Sequence, residues 1–364
     1  MKITEPDMRK LLFMSMCLTI MSAYGQESTK SDYVRQFTTV KSNAITKVKD
    51  QHRSGTCWCY ATLGFIESEL LRLSGKTYDL CEMFVVNHDY MDCATHHVRL
   101  HGMSEFTEGG SADDVFDVIR THGICPEEAM PAPGSLVGDS LANFTEFMKN
   151  LTPLVKEIAS TQSKHPRIGW KEEVQTMIDR YVGKCPERFT YEGKEYTPQE
   201  FASSLGIDWT NYISLTSFTH HPFYENFVIE APYKWRLKPS FNIPIDELMS
   251  VLDTALMQGY CVDWGGDVSG DFHYDGIAEL SSNERPTQAM RQEQFDDWTF
   301  TYDHVMLIYG IAKGKNGKKY YMVKNSWGDV GKYGGTWYMS EDYIRLNTTY
   351  LYLCKDAISD KDWF

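Results

Sequence analysis

The sequence predicts an α+β fold with two lobes, one mainly helical and one built around an antiparallel sheet. Helical apolar periodicity dominates the first half of the chain, whereas short β-branched or aromatic runs separated by glycines fill roughly the last hundred residues. This segregation of helices from strands along the chain is typical of α+β architectures. The length of 364 residues fits two domains or one large two-lobed fold.

A long helix is predicted from Cys57 to Leu73, because apolar residues recur there at steps of three and four and Gly75 follows as a stop signal. Its apolar stripe comprises Cys59, Leu63, Ile66, Leu70 and Leu73. Further helical patterns cover Ser111–His122, Leu141–Ile158, Lys171–Tyr181 and a segment that opens at Pro244 and stops at Gly259.

Short strands are predicted after this last helix, on the evidence of β-branched and aromatic residues and the glycines between them. They are Tyr260–Val262, Val305–Ile308, Tyr320–Val323, Thr336–Met339 and Tyr350–Leu353, with a hairpin turn at Gly314–Gly317. The patterns together divide the chain into a mainly helical lobe (26–139), a helical insert (140–240) and a β-rich lobe (241–364).

The N-terminal segment 1–25 is predicted to be a signal peptide. Arg9 and Lys10 precede the apolar run Leu11–Ala23, which is shorter than the roughly 20 residues that a membrane-spanning helix needs. Cleavage is expected before Gln26, which leaves the mature chain 26–364 without an integral membrane segment. We therefore expect an exported protein, periplasmic or extracellular.

The charge balance excludes one class of partner. The chain has 36 Lys and Arg against 50 Asp and Glu, a formal net charge of −14, whereas nucleic-acid binding requires a basic surface. Eight cysteines follow the predicted signal peptide, and in an exported protein some of them could pair as disulfides. Their spacing is irregular and does not suggest a structural zinc site.

Three separated segments carry residues suited to nucleophilic catalysis. Cys57 follows a glycine-containing loop at the start of the long helix, where unpaired N–H groups and the helix dipole favour a thiolate. His304 begins an apolar strand, and Asn325 ends another. We expect His304 to accept the thiol proton, forming a thiolate–imidazolium pair with a strongly lowered thiol pKa, and Asn325 to fix the imidazole orientation.

Two further residues complete this predicted site. Gln51 precedes Cys57 by one short loop, and its amide N–H group is expected to stabilise the developing oxyanion together with the Cys57 backbone N–H. Trp327 follows Asn325 by two positions and is expected to cover the bond between His304 and Asn325. A cysteine alone is more often a structural core residue, so the prediction depends on all these residues occurring together.

This set of motifs resembles the papain-like cysteine peptidases. Gln51 with the segment Ser54–Trp58 is similar to their nucleophile motif, and Asp303–His304 and Asn325–Gly328 match the other two in the right order. Gly109 and Gly110 are similar to the glycine pair that presents backbone groups to substrate; with Trp327 they are the expected substrate-binding residues. The resemblance covers most of 45–130 and 245–354 and implies a papain-like two-lobed fold with a β-barrel-like second lobe and a helical insert.

The bleomycin hydrolase and aminopeptidase C branch is the most similar part of that superfamily, because Ser54–Trp58 has its S-G-x-C-W form. The resemblance implies hydrolysis of peptide or protein substrates without a cofactor, and leaves homo-oligomerisation open. In that branch a C-terminal arm enters the cleft and its carboxylate binds the substrate amine. This chain ends soon after its last predicted strand, so aminopeptidase and endopeptidase action both stay open.

Two other functions remain as alternatives: a non-catalytic binding protein that keeps the fold, and a transglutaminase-like acyl transferase, which also uses a cysteine and a histidine. No metal site is predicted. His96–His97 and His220–His221 are interpreted as surface residues, because adjacent side chains point in different directions and no H-E-x-x-H pattern occurs. Four aspartates spaced by four residues, from Asp263 to Asp275, are interpreted as a solvated loop near the cleft.

Overall fold

A large β-sheet carries the architecture. The computed structural model describes residues 35–130, 136–137, 141–160, 166–358 and 363, and Gln36–Phe364 form one compact unit. The predicted signal peptide lies outside the described residues. The helices are α1 (Cys57–Ser74), α2 (Glu82–Arg99), α3 (Ala112–His122), α4 (Thr145–Ala159), α5 (Trp170–Val182), α6 (Pro198–Ser204), α7 (Ile245–Gln258), α8 (Gln288–Asp296) and α9 (Glu341–Asn347).

The strands are short except for one in the middle of the sheet. They are β1 (Phe37–Ser42), β2 (Leu136–Val137), β3 (Leu141–Ala142), β4 (Phe189–Tyr191), β5 (Lys194–Tyr196), β6 (Tyr212–Thr216), β7 (Asn226–Phe227), β8 (Ser240–Asn242), β9 (Val262–Gly266), β10 (Phe272–His273), β11 (Ile277–Ala278), β12 (His304–Gly314), β13 (Lys319–Lys324), β14 (Thr336–Ser340) and β15 (Thr348–Cys354). The central strand β12 begins at the predicted catalytic histidine.

The sheet order is β10-β11-β14-β13-β12-β9-β15-β6-β8-β7, and β1 pairs with the far half of β12. The pairing is antiparallel, as predicted, except for two parallel pairs, β11 with β14 and β6 with β8. The strand order does not close into a barrel within the described residues. Because β12 and β13 are antiparallel neighbours, the start of β12 and the end of β13 lie at the same edge of the sheet.

Helix α1 is the central helix of the helical lobe. It begins at Cys57 and ends at Gly75, whose left-handed φ of 70° suits a residue without a Cβ. The sequence predicts one apolar stripe, but every residue from Trp58 to Leu70 is buried. The reason is that α1 packs against β12 and β9 on one side and against α2 and α3 on others.

The predicted helical insert is only partly helical. It contains α4, α5 and α6, but also the β4–β5 hairpin and strand β6, which joins the large sheet between β15 and β8. Strand β6 was not predicted for two reasons. The stretch around it is polar, and the strands with which it pairs are not its neighbours in the sequence.

Two hydrophobic clusters make up the core. One combines α1 to α5 with the face of the sheet that they cover, and the other contains α7 and the opposite face. In the described residues all eight cysteines are free thiols, including the buried Cys59 of the predicted apolar stripe. No helix of the described part of the chain is long and apolar enough to cross a membrane.

Candidate active site

Cys57 is the first residue of α1, and its side chain is half-buried. The preceding residue, Thr56, does not cap the helix through its side chain among the described residues; its Oγ1 instead lies 2.5 Å from Ser54 Oγ. The first turn of α1 is closed by the Thr56 carbonyl, which accepts from the N–H groups of Cys59 at 2.9 Å and Tyr60 at 3.2 Å. The backbone N–H groups of Val305 and Trp58 act on the thiol by lowering its pKa, although burial has the larger, opposite effect.

His304 and Asn325 form the second part of the site. His304 Nε2 lies 2.8 Å from Asn325 Oδ1, and both residues are buried. The Asn325 carbonyl oxygen also accepts from the Ser326 backbone N–H at 2.8 Å, which identifies Oδ1 as the acceptor for the imidazole N–H. With the proton on Nε2, the Nδ1 nitrogen of His304 carries a lone pair and can accept a proton.

The Val305 N–H group lowers the pKa of the Cys57 thiol, and Val305 directly follows His304 in β12, so the two parts of the site lie close together. The structure therefore gathers the cysteine, histidine and asparagine of the three separated motifs at one edge of the sheet. This edge faces the N-terminus of α1, which packs on β12.

Trp327 covers this arrangement as its predicted position implies. Its ring stacks on the His304 imidazole at a centroid distance of 4.9 Å and an interplanar angle of 28°. Phe272, Tyr274 and Trp337 surround the tryptophan at 5.6 to 5.9 Å. This aromatic cluster keeps water away from the bond between His304 and Asn325.

Gln51 joins the nucleophile loop to the segment after β13. Its backbone N–H donates to Ser326 O at 2.8 Å, and its side-chain Oε1 accepts from Ser326 Oγ at 2.6 Å. The amide Nε2 donates one hydrogen to Ser54 O at 2.7 Å. The amide group has two hydrogens, and among the described residues the structure shows an acceptor for one of them.

The two predicted substrate-binding glycines differ in their surroundings. Gly110 is buried, and a Cβ at this position would lie 2.7 Å from the Trp58 ring. Gly109 is half-buried, and its Cβ would make an ordinary contact of 3.5 Å with Tyr233. The close packing on Trp58 therefore requires a glycine at position 110. Substrate contact by either glycine stays a prediction. The segment is held by Trp58 Nε1, which donates to Glu108 O at 2.9 Å.

Burial shifts the pKa values of Cys57 and His304 away from their ordinary values. It raises the pKa of the Cys57 thiol to about 12, in spite of the N–H groups of Val305 and Trp58. It also lowers the pKa of His304 to about 4, in spite of the bond to Asn325. This direction is opposite to the lowered thiol pKa expected from the sequence, because desolvation penalises each charge taken alone. A thiolate here thus depends on an adjacent imidazolium, since the pair carries no net charge.

Asp263 is a residue that the sequence interpretation missed. It was assigned to a solvated loop, but it lies in β9, is fully buried and accepts from Thr62 Oγ1 of α1 at 2.7 Å. Asp267 is buried as well, at the end of the same segment. Burial raises the pKa of Asp263 to about 8, so this carboxyl group is neutral at the pH of most cells. A charged Asp263 would disfavour the thiolate of nearby Cys57.

Of the two histidine pairs interpreted as surface residues, His220 is exposed and His221 and His96 are partly exposed, whereas His97 is buried. His97 Nδ1 lies 3.2 Å from Ser104 Oγ. His220 and His221 do not point apart: their Nε2 atoms both lie 3.0 Å from carboxylate oxygens of Glu230. The loop after β6 lacks the regular backbone on which adjacent side chains alternate, so the sequence argument failed there.

The fold and the arrangement of these residues define the class: a papain-like cysteine peptidase, a hydrolase. The chain belongs to the Peptidase C1-like family, whose model matches residues 82–362. That range contains His304 and Asn325 and begins after Cys57.

Curated relatives extend the similarity over the nucleophile segment. Aminopeptidase E of Lactobacillus helveticus is 21% identical over 94% of this chain and 88% of its own length. Aminopeptidase C of the same species is 23% identical over 82% of this chain and 77% of its own length. The crystal structure of PepW from Lactobacillus rhamnosis covers 98% of this chain and 93% of its own, with a TM-score of 0.71 at 19% identity, and shows the same fold.

Proposed function

We propose that this chain hydrolyses peptide bonds through an acyl-enzyme on Cys57, with His304 as the base and acid. In the first step the Sγ proton moves to His304 Nδ1 while the sulfur attacks the carbonyl carbon of the substrate. The resulting oxyanion is stabilised by the Cys57 backbone N–H and by the second amide hydrogen of Gln51. The C–N bond then breaks, and the proton on Nδ1 moves to the leaving amine, which leaves a thioester.

The second half of the reaction repeats these roles with water. His304 Nδ1 takes a proton from water as its oxygen attacks the thioester carbon, and the carbon–sulfur bond breaks to release the acid and restore the thiol. Asn325 keeps the other imidazole nitrogen protonated throughout. The observation that carries this proposal is the 2.8 Å hydrogen bond between His304 and Asn325, at the start of the strand β12 on which the helix beginning at Cys57 packs.

For the substrate class, we propose peptides with a free amino terminus. The support is that the two relatives covering most of this chain are named aminopeptidases. Fluorogenic amino-acid and dipeptide amides, each with a free or an acetylated amine, distinguish the modes of cleavage. Aminopeptidase action predicts turnover of free-amine substrates only, whereas equal turnover of acetylated substrates would assign endopeptidase action.

The decisive control for the chemistry is Cys57→Ala. It should abolish hydrolysis while the thermal unfolding midpoint stays near that of the wild type, and full turnover by the variant would refute the role of Cys57. Incorporation of an added amine in preference to hydrolysis would instead support the acyl-transferase alternative.

We also propose that the protein is exported, on the support of the charged and apolar pattern of residues 1–25. Mass spectrometry of the mature N-terminus tests this proposal. An N-terminus at Gln26 in the extracytoplasmic fraction is expected, and an intact N-terminus in the cytoplasm would contradict it.

A further inference from the structure

A cluster of three potential metal ligands lies outside the catalytic residues. His220 Nε2 is 3.0 Å from Glu230 Oε2, and His221 Nε2 is 3.0 Å from Glu230 Oε1. One ligand atom from each residue lies within 4.8 Å of the other two. In the described part of the chain, this is the one group of three or more His, Cys, Asp and Glu side chains with such geometry.

Aromatic packing holds both imidazole rings in place. His220 stacks on Phe295 of α8 with a centroid distance of 5.0 Å and an interplanar angle of 11°. His221 stacks on Phe227 of β7 at 4.2 Å and 19°. The rings are therefore oriented by two different elements before any ion binds, which reduces the entropy cost of forming a site.

Gln292 of α8 supports the outer nitrogen of His220. Its Oε1 lies 3.3 Å and its Nε2 3.0 Å from His220 Nδ1, so the amide can serve either tautomer of the ring. The same Oε1 accepts from the Thr219 backbone N–H at 2.6 Å, which fixes the position of the amide. Metal-bound histidines typically donate their other N–H to such a partner.

We propose that His220, His221 and Glu230 bind one divalent transition-metal ion, with zinc as the best fit. Two imidazoles and a carboxylate are a typical zinc donor set, with a fourth position open to water. Ligand atoms of a tetrahedral zinc ion lie about 3.3 Å apart for bonds of about 2.0 Å, close to the two observed imidazole–carboxylate contacts of 3.0 Å. The two imidazoles approach different oxygens of Glu230, and the three ligand atoms lie within 4.8 Å of one another, so the side chains must draw together around the ion. On binding, each imidazole proton moves through water from Nε2 to Nδ1.

The three ligands are themselves exposed or partly exposed, so an ion can reach them from solvent. Glu293 and Asp296 of α8 line an open surface depression together with Gln292 and Thr219. The cluster is also joined to the catalytic strand, because Tyr302 Oη donates to Glu230 O at 3.3 Å and Tyr302 lies two residues before His304. Metal binding should therefore stabilise the loop that packs beside the start of β12.

Cobalt(II) titration of the full mature chain tests the site. A Cys57→Ala background is used, because a thiol and an imidazole side by side also bind transition metals. After treatment with a chelator, we expect one Co²⁺ per chain with the visible absorption of a tetrahedral ion, its displacement by Zn²⁺, and a higher thermal midpoint with Zn²⁺. If Co²⁺ causes no absorbance change, or if several ions bind weakly without a shift in the thermal midpoint, the proposal is overturned and any binding is adventitious only.

Variants locate the ion. His221→Gln and Glu230→Gln should each weaken Co²⁺ affinity by roughly 100-fold or more, and Gln292→Leu by roughly tenfold. His101→Asn is the matched control, since this exposed histidine lies elsewhere and asparagine tolerates its φ of 54°. Metal-free thermal midpoints identify any variant that fails to fold, and Glu230→Gln keeps the size of the side chain. Unchanged affinity in folded Glu230→Gln would refute the site.

Discussion

The carboxamide of Asn325 determines which nitrogen of His304 carries the proton. Its Oδ1 accepts from both the imidazole Nε2 and the Ser326 backbone N–H, so the group cannot rotate without losing two hydrogen bonds. A neutral carboxamide in this place holds the imidazole without adding a negative charge to a buried site. The orientation of His304 is therefore the property that a variant at Asn325 should lose.

Replacing Asn325 by Ala should lower kcat by roughly 100-fold, because the ring is no longer held in the tautomer that accepts the thiol proton. KM should change little, since the substrate does not contact this side chain in the proposed mechanism. Steady-state kinetics on a free-amine peptide amide measure both constants. Asn316→Ala, in the exposed turn between β12 and β13, is the control, and equal kinetics of the two variants would contradict the role of Asn325.

Asp263 should make stability depend on pH. Its pKa is about 8 when folded, whereas an unfolded aspartate titrates near 3.9. The wild-type protein therefore loses stability as pH rises through this window, because the folded state holds a proton that the unfolded state has released. Asp263→Asn removes this dependence. Between pH 5 and pH 8 the free energy of unfolding of the variant should therefore rise, relative to that of the wild type, by up to about 4 kcal/mol.

Urea unfolding at these two pH values measures the difference. Asp271→Asn is the control, because hydrogen bonds from Ser281 lower the pKa of Asp271 and its titration lies below this range. If the difference in free energy of unfolding between wild type and Asp263→Asn is constant from pH 5 to pH 8, Asp263 is already ionised in the folded protein.

At the scale of elements, α1 and the segment before α3 pack closely because residue 110 is a glycine and has no Cβ. Gly110→Ala would place a Cβ 2.7 Å from the buried Trp58 ring and should lower the free energy of unfolding by about 1–3 kcal/mol. Gly109→Ala is the matched control, with a contact of 3.5 Å, and should change stability by less than about 0.5 kcal/mol. Equal unfolding midpoints in denaturant would mean that the segment moves freely away from Trp58.

The elements with strong local signals were predictable from the sequence. Helices α1, α3 and α7 and strands β13 to β15 lie where periodicity and stop signals placed them, within a few residues, whereas β12 continues past its predicted end at Ile308 as far as Gly314. Strands β1 and β6 were not predicted, because each is stabilised by distant partners, β12 for one and β15 and β8 for the other. Such pairings are decided by tertiary structure rather than by local pattern.

At the scale of the whole molecule, a buried ionic cluster connects the lobes beneath the active site. Lys49 Nζ lies 2.8 Å from Glu82 Oε1 and 3.6 Å from Glu67 Oε1, and both carboxylates are buried. Lys324 of β13 donates to Thr46 Oγ1 at 3.0 Å, and Thr46 in turn donates to Glu67 at 2.5 Å. Removal of one cation would leave buried carboxylates without their partner.

Lys49→Met should therefore lower the free energy of unfolding by about 3–5 kcal/mol. Lys76→Met breaks an ion pair with Glu192 that is 2.6 Å long but exposed, and should cost less than about 1 kcal/mol. Chemical denaturation of the two variants compares them directly. A similar small effect in both would mean that the Lys49 cluster does not stabilise the fold.

From residue types and spacing, the identity of the candidate site residues was easier to predict than the environment in which they lie. The chemistry of Gln51, Cys57, His304 and Asn325 is complementary, and the structure shows the hydrogen bond between His304 and Asn325 and the bond from Ser326, the next residue, to Gln51. Their catalytic roles stay a prediction. Burial was not predictable from the same motifs, so the prediction for the position of Asp263 was wrong, and the raised pKa of the Cys57 thiol reflects a desolvation that the motifs do not encode. The convergence of His220 and His221 on Glu230 also depends on loop geometry that no local pattern encodes.

Covalent labelling by an epoxide inhibitor of cysteine peptidases tests the central claim most directly, with the adduct located by peptide mass spectrometry. If Cys57 is activated by His304, one adduct per chain should form on Cys57, and His304→Ala should slow its formation by roughly 100-fold or more although the thiol is still present. An adduct on another of the eight cysteines, or equal labelling of Cys57 in the His304→Ala variant, would contradict the account.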